Sequence, residues 1–560
     1  MNRKEKGLGI PLDLALAFHT DAGTALRDST VGTLVLYSSS NEGKKALPSG
    51  EKMATNREFA ELVQSQVVHD IRCAWNPDWR RRETRDRSYM ETRSPACPSM
   101  ILELLSHQNF NDMKAGLDPG FRFLASRAVY KGILKYLSNR YGVDYVVQPL
   151  PVADFAAWVE GDEAVLSWVP RRDETEPTAV AEKYLLETRR DGSWFGKAQF
   201  VETETVDGRV CCRVRIEKGE LVSFRVSAWN KGGKSFPSEI LSVGKALEPK
   251  GKVLIVNNFD RVSAAVHFED SLTAGFNEGL DSGVDYLKRI NYIGPMYEFR
   301  RNLKWADDDC PGFGASYTDC AALHPAGNTF DYTSIHGRAL LALGYDFESS
   351  SSAAFSGGVF CNKSSAEGEL AGAMTDRYSA IDLICGKQAS TPGYGGKVRY
   401  KVFPSGLCDV LESAGCPLIV SGSYIGSDAE GGIYEGIPPD ARAIGFTSSR
   451  LGFKLMNCRA SRKGTFRWTG PSRRSSGRFN TEYSEDIYRV ESPDGIVPAN
   501  SGAKTIMRYS DSGISAAVAY DGKAGKAVSF GFPIETIERE TDIEEVFRFC
   551  MGFFGNTEEL

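Results

Sequence analysis

In Pro98-Ser-Met-Ile-Leu-Glu103, an apolar run ends in a carboxylate. A short apolar run that follows a proline indicates a buried strand. In an open α/β sheet, side chains at the ends of strands face the crevice where ligands bind. Glu103 is therefore a candidate acid–base residue.

A second apolar run with a polar end precedes it. Leu12–Phe18 is rich in strand formers, and the segment continues as His19-Thr-Asp-Ala-Gly23. A histidine at a strand end can ligate zinc, and a glutamate there can take a proton from zinc-bound water. Taken singly, however, such a histidine is more often a packing or turn residue, and such a glutamate is more often half-solvated and inert.

Strand-like and helix-like segments alternate around these two runs. Gly32–Tyr37 predicts another strand, whereas Asn56–Trp75 and Phe121–Leu137 place apolar residues at helical spacing. Strands that alternate with helices predict an α/β layer structure for the first block, residues 1–147.

In its motifs, this block resembles the C-terminal part of the zinc-dependent N-acetylmuramoyl-L-alanine amidase family. Five features occur in the family's order: Ala17-Phe-His19-Thr-Asp-Ala22, Gly32–Tyr37, the helix Asn56–Trp75, the segment from Pro98 through Glu103 to Asn109 and Asp112, and Leu117-Asp118-Pro119 with the helix Phe121–Leu137. The resemblance implies that His19 is a Zn²⁺ ligand and that Glu103 is the catalytic carboxylate. It also implies that the substrate is the amide bond between N-acetylmuramic acid and L-alanine in peptidoglycan.

The sequence departs from the family upstream of His19. There the family has a histidine and then a glutamate as its first two zinc ligands, whereas here no histidine precedes His19, and Glu5 fits neither motif. A catalytic zinc needs about three protein ligands. Either the remaining ligands lie upstream of this chain or the domain is inert; His69 and His107 are less favoured substitutes.

The run from Trp79 to Arg87 is strongly basic. It has a composition suited to holding an anionic glycan, but a solvated helix face is the favoured interpretation.

A proline-marked break, Gln148–Pro151, precedes a strand-only block at residues 150–246. Such a block predicts a β-sandwich. It resembles a fibronectin type III module in Val165-Leu-Ser-Trp168 and in Phe224-Arg-Val-Ser-Ala-Trp-Asn230. Trp158 and Trp229 are candidate sugar platforms, although core packing is the favoured interpretation.

Residues 251–560 return to an α/β pattern and resemble the class I glutamine amidotransferase-like fold, which is flavodoxin-like. The resemblance rests on Val253–Val256, Tyr378–Ile384 and Leu418–Tyr424. Gly422-Ser-Tyr-Ile-Gly426 stands where the family has its nucleophilic cysteine, so we expect a non-catalytic domain, with Ser423 a remote candidate nucleophile. The serine-rich segment Ser349–Ser352 and residues 355–372 are predicted loops.

Composition limits the remaining possibilities. The chain has 560 residues, 41% of them hydrophobic, and a net charge of only −6. This length predicts several domains, and the charge does not suggest a nucleic-acid partner. No apolar run approaches the roughly 20 residues of a membrane span. The twelve cysteines lack a Cys-x-x-Cys spacing, so most are expected to be buried thiols, with Cys310–Cys320 a conceivable disulfide.

The sequence thus predicts a multidomain α/β and β protein: an amidase-like domain, a β-sandwich and a flavodoxin-like domain. The leading hypothesis is a periplasmic or extracellular, zinc-dependent hydrolase of peptidoglycan, whose export signal is expected upstream because residues 1–13 are interpreted as part of the fold. The main alternative is a non-catalytic carbohydrate-binding or scaffold protein. A second is a polysaccharide lyase, since the three-part order resembles exported bacterial proteins labelled golvesin-like or xanthan lyase.

Overall fold

The computed structural model describes most of the chain in three consecutive parts. The described residues are 11–23, 29–259, 265–277, 280, 291–293, 297–300, 315–316, 321–323, 331–360, 374, 377–393, 398–434, 437–470, 475–482, 484 and 486–556. Residues 1–10 with Glu5, Cys310, Cys320, and 361–373 with most of the serine-rich loop lie outside them.

The first part is a four-stranded sheet with its helices packed on one face. The strands are β1 (Ala15–Asp21), β2 (Thr33–Tyr37), β3 (Arg81–Asp86) and β4 (Ser99–Ser106), and the helices are α1 (Ala54–Ala74), α2 (Met90–Arg93), α3 (Phe110–Gly116) and α4 (Pro119–Tyr141). The sheet order is β1-β4-β2-β3. β1 and β4 run parallel, as do β2 and β3, whereas β2 and β4 are antiparallel.

The alternation of side chains in β4 divides the sheet into two faces. Met100 and Leu102 pack in one core cluster with Phe59 and Val63 of α1, whereas Ile101 packs in a separate cluster on the opposite face. Burying a large apolar side chain contributes about 1.5–3 kcal/mol, so the helix-covered face supplies most of the stability of this part. The opposite face carries only a smaller apolar cluster, with polar groups at the strand ends.

The ends of α4 follow from its sequence. Asp118 caps its first turn by accepting hydrogen bonds from the backbone N–H groups of Gly120 and Phe121. Pro119 occupies the first helical position, where the missing N–H has no cost. Gly142 ends the helix in the left-handed conformation, with φ of 62°, which glycine adopts without strain.

The second part is a β-sandwich. Its strands are β5 (Ala153–Glu160), β6 (Glu163–Val169), β7 (Lys183–Arg190), β8 (Gln199–Phe200), β9 (Glu204–Val206), β10 (Arg209–Arg215), β11 (Leu221–Asn230), β12 (Gly233–Lys234) and β13 (Leu241–Gly244). One sheet pairs β5-β6-β10-β9, and the other pairs β8-β7-β11-β13, with β12 beside β11. Trp168 and Phe224 are buried in the core between them.

The third part contains one large mixed sheet and several smaller sheets of two to four strands. Its strands are β14 (Lys252–Asn257), β15 (His267–Glu269), β16 (Thr273–Phe276), β17 (Asn291–Ile293), β18 (Tyr297–Arg300), β19 (Ala315–Ser316), β20 (Ala321–Leu323), β21 (Asp346–Ser351), β22 (Ala380–Gly386), β23 (Thr391–Pro392), β24 (Val398–Tyr400), β25 (Leu418–Gly422), β26 (Phe453–Asn457), β27 (Thr465–Trp468), β28 (Ser476–Arg478), β29 (Gly495–Pro498), β30 (Ala503–Tyr509), β31 (Ser515–Gly522) and β32 (Gly525–Phe530). The helices are α5 (Tyr332–Ala342), α6 (Ser352–Ser356), α7 (Ser405–Ser413), α8 (Ser427–Glu430), α9 (Ala441–Ser449) and α10 (Glu540–Phe554). Five strands are parallel in the order β21-β14-β22-β25-β32, and β31, β30, β27 and β28 continue the sheet in antiparallel fashion.

The three parts are joined by specific contacts. β21 pairs with β13 and β5 of the sandwich as well as with β14, so the sandwich extends the sheet of the third part. Between the first two parts, Lys131 of α4 is buried with its ammonium 2.6 Å from Asp70 and 3.7 Å from Asp173. Between the first and third parts, Arg399 forms an ion pair with Asp118 at 2.9 Å.

Two sequence-based expectations about local structure were wrong. Ser349–Ser352 is not a loop: three of its serines end the buried strand β21, and Ser352 begins α6. The basic run from Trp79 to Arg87 is not a helix face, because it forms β3. In both places pairing with neighbouring strands outweighs local composition. The first strand also begins three residues later than predicted and continues to Asp21.

Candidate functional site

His19 and Glu103 lie side by side on neighbouring strands. The parallel pairing of β1 with β4 sets Ala17 opposite Ile101 and His19 opposite Glu103. Residues paired in this way project from the same face of a sheet. Since Ala17 and Ile101 pack together on the face opposite α1 and α4, His19 and Glu103 belong to that face too.

Glu103 is a buried carboxylate. Only 9% of the residue is exposed, and its Oε2 atom accepts no hydrogen bond from the described residues. Burial raises the pKa of Glu103 above its ordinary value; the charge of His19 acts in the opposite direction, Asp21 adds to the rise, and Arg82 opposes it. A carboxyl group with a raised pKa next to an imidazole is suited to accepting and returning a proton.

An ion pair adjoins this position. Arg82 of β3 places its Nη1 atom 2.5 Å from Oδ2 of Asp21, the last residue of β1, and both side chains are largely buried. His107 lies at the same end of β1, where its backbone N–H donates to the carbonyl of Asp21 and its Nδ1 atom is 3.3 Å from the Thr20 hydroxyl. His19 itself is exposed.

Asp112 fixes the loops at this edge of the sheet. Its carboxylate accepts backbone hydrogen bonds from Val31 at 3.0 Å, Gly32 at 3.1 Å and Ser106 at 2.9 Å. Complete burial raises the pKa of Asp112 to about 6, although the three N–H donors act against the rise. The residue thereby ties the end of β4 to the start of β2, next to the candidate site.

A zinc site is not completed by these residues. In the described ranges, no group of three histidine, cysteine, aspartate or glutamate side chains is arranged to hold a metal ion. His69 lies on α1, with its Nε2 atom 3.8 Å from Cys73 Sγ, on the helix-covered side of the sheet. Of the two substitute histidines considered, only His107 is near His19.

Ser423 is buried after β25. It is 0% exposed, and its hydroxyl oxygen has no hydrogen-bond partner among the described residues. Its backbone N–H donates to the carbonyl of Gly386 on the next strand. A nucleophile must be reached by its substrate, so this position does not act as one in the described conformation.

The third part contains a buried charged cluster that the sequence reasoning missed. Nδ1 of His336 is 2.6 Å from Asp382 Oδ2, and its Nε2 is 3.4 Å from Glu535 Oε2, with all three side chains inaccessible to solvent. Tyr488 donates a hydrogen bond to Glu535 at 2.7 Å. Asp382 interrupts the otherwise apolar strand Ala380–Gly386. This interruption is the one feature of the sequence that could have indicated the buried cluster.

Comparisons with known proteins relate the chain to solved structures only. No protein-family model matches it, and no curated protein does. Among solved structures, it is similar over 18% of its length to a human FNIII domain, at 22% identity and a TM-score of 0.15, with 79% of that domain covered. A fibronectin type III domain of a human fibronectin type III domain containing protein is 23% identical, with 19% of this chain and 92% of that chain covered and a TM-score of 0.14.

A third neighbour is the twitchin kinase region from C. elegans, at 20% identity and a TM-score of 0.14. That match spans 17% of this chain and 16% of the twitchin structure. Because these TM-scores are low, the description of the sandwich rests on its strand pairing.

The described architecture is that of a multidomain protein rich in β-sheet, with helices packed on its sheets. None of its described helices has the length and apolar character that a membrane span requires.

Proposed function

We propose that this protein is a cell-envelope hydrolase that cleaves the amide bond between N-acetylmuramic acid and L-alanine in peptidoglycan. The observation that carries the proposal is the register of β1 with β4, which sets His19 against Glu103 on one face of the sheet. The motifs of the sequence single out the same two residues.

In this proposal, Glu103 is the proton carrier. Its buried carboxyl group has a raised pKa, so it can take a proton from attacking water and return it to the departing amine. Arg82 and Asp21 act as positioning residues, because their ion pair places one positive and one negative charge near Glu103.

In this proposal, His19 is the Zn²⁺ ligand that the described residues provide. A single histidine does not fit a catalytic zinc site, which needs about three protein ligands. We therefore assign the metal no step and derive the proton transfer from Glu103 alone.

The finer fold assignments belong to the same proposal. The sandwich pairs its strands as 5-6-10-9 and 8-7-11-13, an arrangement that supports a fibronectin type III module. If the five parallel strands of the third part are numbered 1 to 5 along the chain, they lie side by side in the sheet in the order 2-1-3-4-5. This order supports a flavodoxin-like sheet of the amidotransferase type. A substrate in the cell wall places the protein in the periplasm or outside the cell.

Digestion of purified sacculi tests the proposal. The full chain, supplied with Zn²⁺, is expected to release soluble stem peptides, and Glu103→Gln is expected to lower the rate by at least about a hundredfold, the usual size of an acid–base contribution. Glu58→Gln is the matched control, because Glu58 is an exposed residue on α1, on the other side of the sheet. Equal release by the Glu103→Gln and unmodified proteins would contradict the assignment.

A second candidate function is non-catalytic binding of carbohydrate. It is favoured by the missing three-ligand group in the described ranges and by the burial of Ser423. In the same experiment, retention of the protein on sacculi without release of any peptide supports this candidate against the first.

A further inference from the structure

A pocket lies in the third part of the chain, next to the short helix α8. Its volume is about 300 Å³, at the small end of the range in which proteins bind small molecules. Three separate segments line it: the chain after β22, the chain from β24 toward α7, and the chain from α8 into the first turn of α9.

The inner lining of the pocket is mainly apolar. Phe403, Ala429 and Ala443 line it, are buried, and belong to the core cluster on one face of the large sheet. Pro438 and Ala441 also line the pocket but are exposed, so solvent reaches it on their side. A ligand that enters there buries an apolar body against the core.

Two of the charged groups in the lining satisfy each other. Lys401 donates to Oδ2 of Asp440 in an ion pair. Oδ1 of Asp440 caps α9 by accepting the backbone N–H groups of Arg442 at 2.9 Å and Ala443 at 3.2 Å. These two residues therefore add no net charge to the pocket.

The third charged group, Asp428, is incompletely bonded. Only 6% of the residue is exposed, its Oδ2 atom accepts the backbone N–H of Ser390, and its Oδ1 atom accepts no hydrogen bond from the described residues. Since Asp428 and Ser390 both line the pocket, the carboxylate that joins them lies at its wall.

The surroundings of Asp428 disfavour its negative charge. Burial raises the pKa of Asp428 well above its ordinary value; the N–H of Ser390 opposes the rise, and the charge of Asp494 adds to it. A buried carboxylate of this kind is stabilised when an opposite charge is placed against it. The pocket is the side from which such a charge can arrive.

The position of Asp428 is fixed before any ligand binds. The wholly buried Asp494 accepts the backbone N–H groups of Gly426 at 2.6 Å and Ser427 at 3.0 Å, and so holds the start of α8. The backbone N–H of Asp428 itself donates to the carbonyl of Tyr424 at 3.1 Å. A preformed site of this kind needs little ordering on binding.

These features select the chemistry of the ligand. Oδ1 of Asp428 requires a hydrogen-bond donor, and a charged N–H donor binds a carboxylate more strongly than a neutral one does. An anionic group is not required, because Lys401 is already paired with Asp440. The apolar lining and the small volume suit a short hydrocarbon chain.

We propose that this pocket binds a small aliphatic primary amine, whose ammonium group donates to Oδ1 of Asp428 and whose hydrocarbon chain packs against Phe403 and Ala429. The site goes beyond the proposed hydrolase function and uses neither His19 nor Glu103.

Calorimetric titration of the full chain with three small molecules of similar shape tests the chemistry. Isoamylamine carries the ammonium group, isoamyl alcohol is uncharged, and isovalerate is an anion. Isoamylamine is expected to bind, and the alcohol to bind about tenfold or more weakly, because it lacks the charge that strengthens a hydrogen bond to a carboxylate. Equal affinity for amine and alcohol, or a preference for isovalerate, would overturn the proposal.

Two variants locate the binding. Asp428→Asn retains an oxygen for the N–H of Ser390 but removes the charge, and it should weaken isoamylamine binding by about tenfold or more while leaving the alcohol unaffected. Asp521→Asn is the matched control, because Asp521 is an exposed carboxylate of the third part outside the pocket.

Ala441→Trp provides a second test that leaves the core intact, since Ala441 is exposed at the open side of the pocket. The indole is expected to block entry and abolish amine binding. Amine binding that survives either Asp428→Asn or Ala441→Trp would overturn the site. Release of peptides from sacculi is measured separately, so failure of the hydrolase proposal leaves this result unchanged.

Discussion

His19 and Glu103 are register partners on parallel strands, so an exposed imidazole and a buried carboxyl group project from the same face of the first sheet. The two residues are 84 positions apart in sequence, counted as 103 − 19. Only the fold brings them together. The pairing makes Glu103 the residue on which the chemistry of the proposed hydrolase depends.

Arg82 is expected to set the pH range in which Glu103 works. Its charge lowers the pKa of Glu103, which burial raises, and it also neutralises Asp21. Arg82→Gln should therefore raise the pKa of Glu103 and move the acidic limb of the pH–rate profile to higher pH. A profile measured on sacculi checks this, with Arg57→Gln, at an exposed site on α1, as the control. A shift toward lower pH, or none, would contradict the role given to Arg82.

Asp112 is expected to be structural. Asp112→Ala removes the acceptor of three backbone N–H groups in a fully buried place, and unpaired buried donors are costly. We expect the free energy of unfolding to fall by about 2–4 kcal/mol. Urea unfolding measures it, and Asp144→Ala, at an exposed position after α4, should change it little. A loss no larger than that of the control would show that water replaces the carboxylate.

Lys131 is expected to hold the first two parts of the chain together. The Lys131 ammonium is buried between Asp70 and Asp173, so Lys131→Met leaves both carboxylates without it. Breaking such a buried pair costs about 3–5 kcal/mol. The double variant Lys131→Met/Asp70→Leu should regain part of that loss, because one uncompensated charge is removed as well. Additive losses in a double-mutant cycle would contradict the coupling.

His336 is expected to make stability depend on pH. Burial alone lowers its pKa, but the carboxylates of Asp382 and Glu535 outweigh that effect and raise it to about 9. Below pH 6.5 both the folded and the unfolded chain carry the proton, and the full stabilisation is present. As pH rises from 6.5 through 9, the unfolded chain loses the proton first, so the free energy of unfolding falls.

Thermal unfolding between pH 6 and pH 9.5 tests this window. His336→Gln should flatten the decline of Tm, whereas His69→Gln, at an exposed site on α1, should leave it unchanged. An NMR titration of His336 provides a second readout if the His336→Gln variant is poorly folded. An imidazole that titrates near pH 6.5 in the folded protein would refute the assignment.

The elements with strong periodicity were predictable from sequence. The predicted helix Asn56–Trp75 corresponds to α1, which ends one residue earlier, and Phe121–Leu137 lies within α4. The apolar run that ends at Glu103 lies in β4. The sandwich strands were predictable in the same way, because the alternation of inward residues such as Leu166 and Phe224 is visible in the local sequence pattern. In these segments local preference and tertiary packing agree.

Relations made only by tertiary structure were not predictable. Ser349–Ser351 forms a buried strand because β14 and the sandwich pair with it, which its polar composition does not reveal. The ion pair of Arg82 with Asp21 needs β3 and β1 to lie in one sheet. The sequence around Ser423 gives no sign that this side chain is buried. The resemblance to the amidase family selected His19 and Glu103 but gave no role to Arg82 or Asp112.

The identity of the bond that is cut distinguishes an amidase from a lyase, a glycosidase and a non-catalytic binding protein. Soluble products from sacculi treated with the full chain and Zn²⁺ are to be analysed by mass spectrometry. Hydrolysis of the proposed amide bond should yield intact stem peptides with a free amino-terminal L-alanine, together with glycan strands whose sugar linkages are uncut. Unsaturated sugar ends, new reducing ends, or bound protein with no released peptide would contradict it.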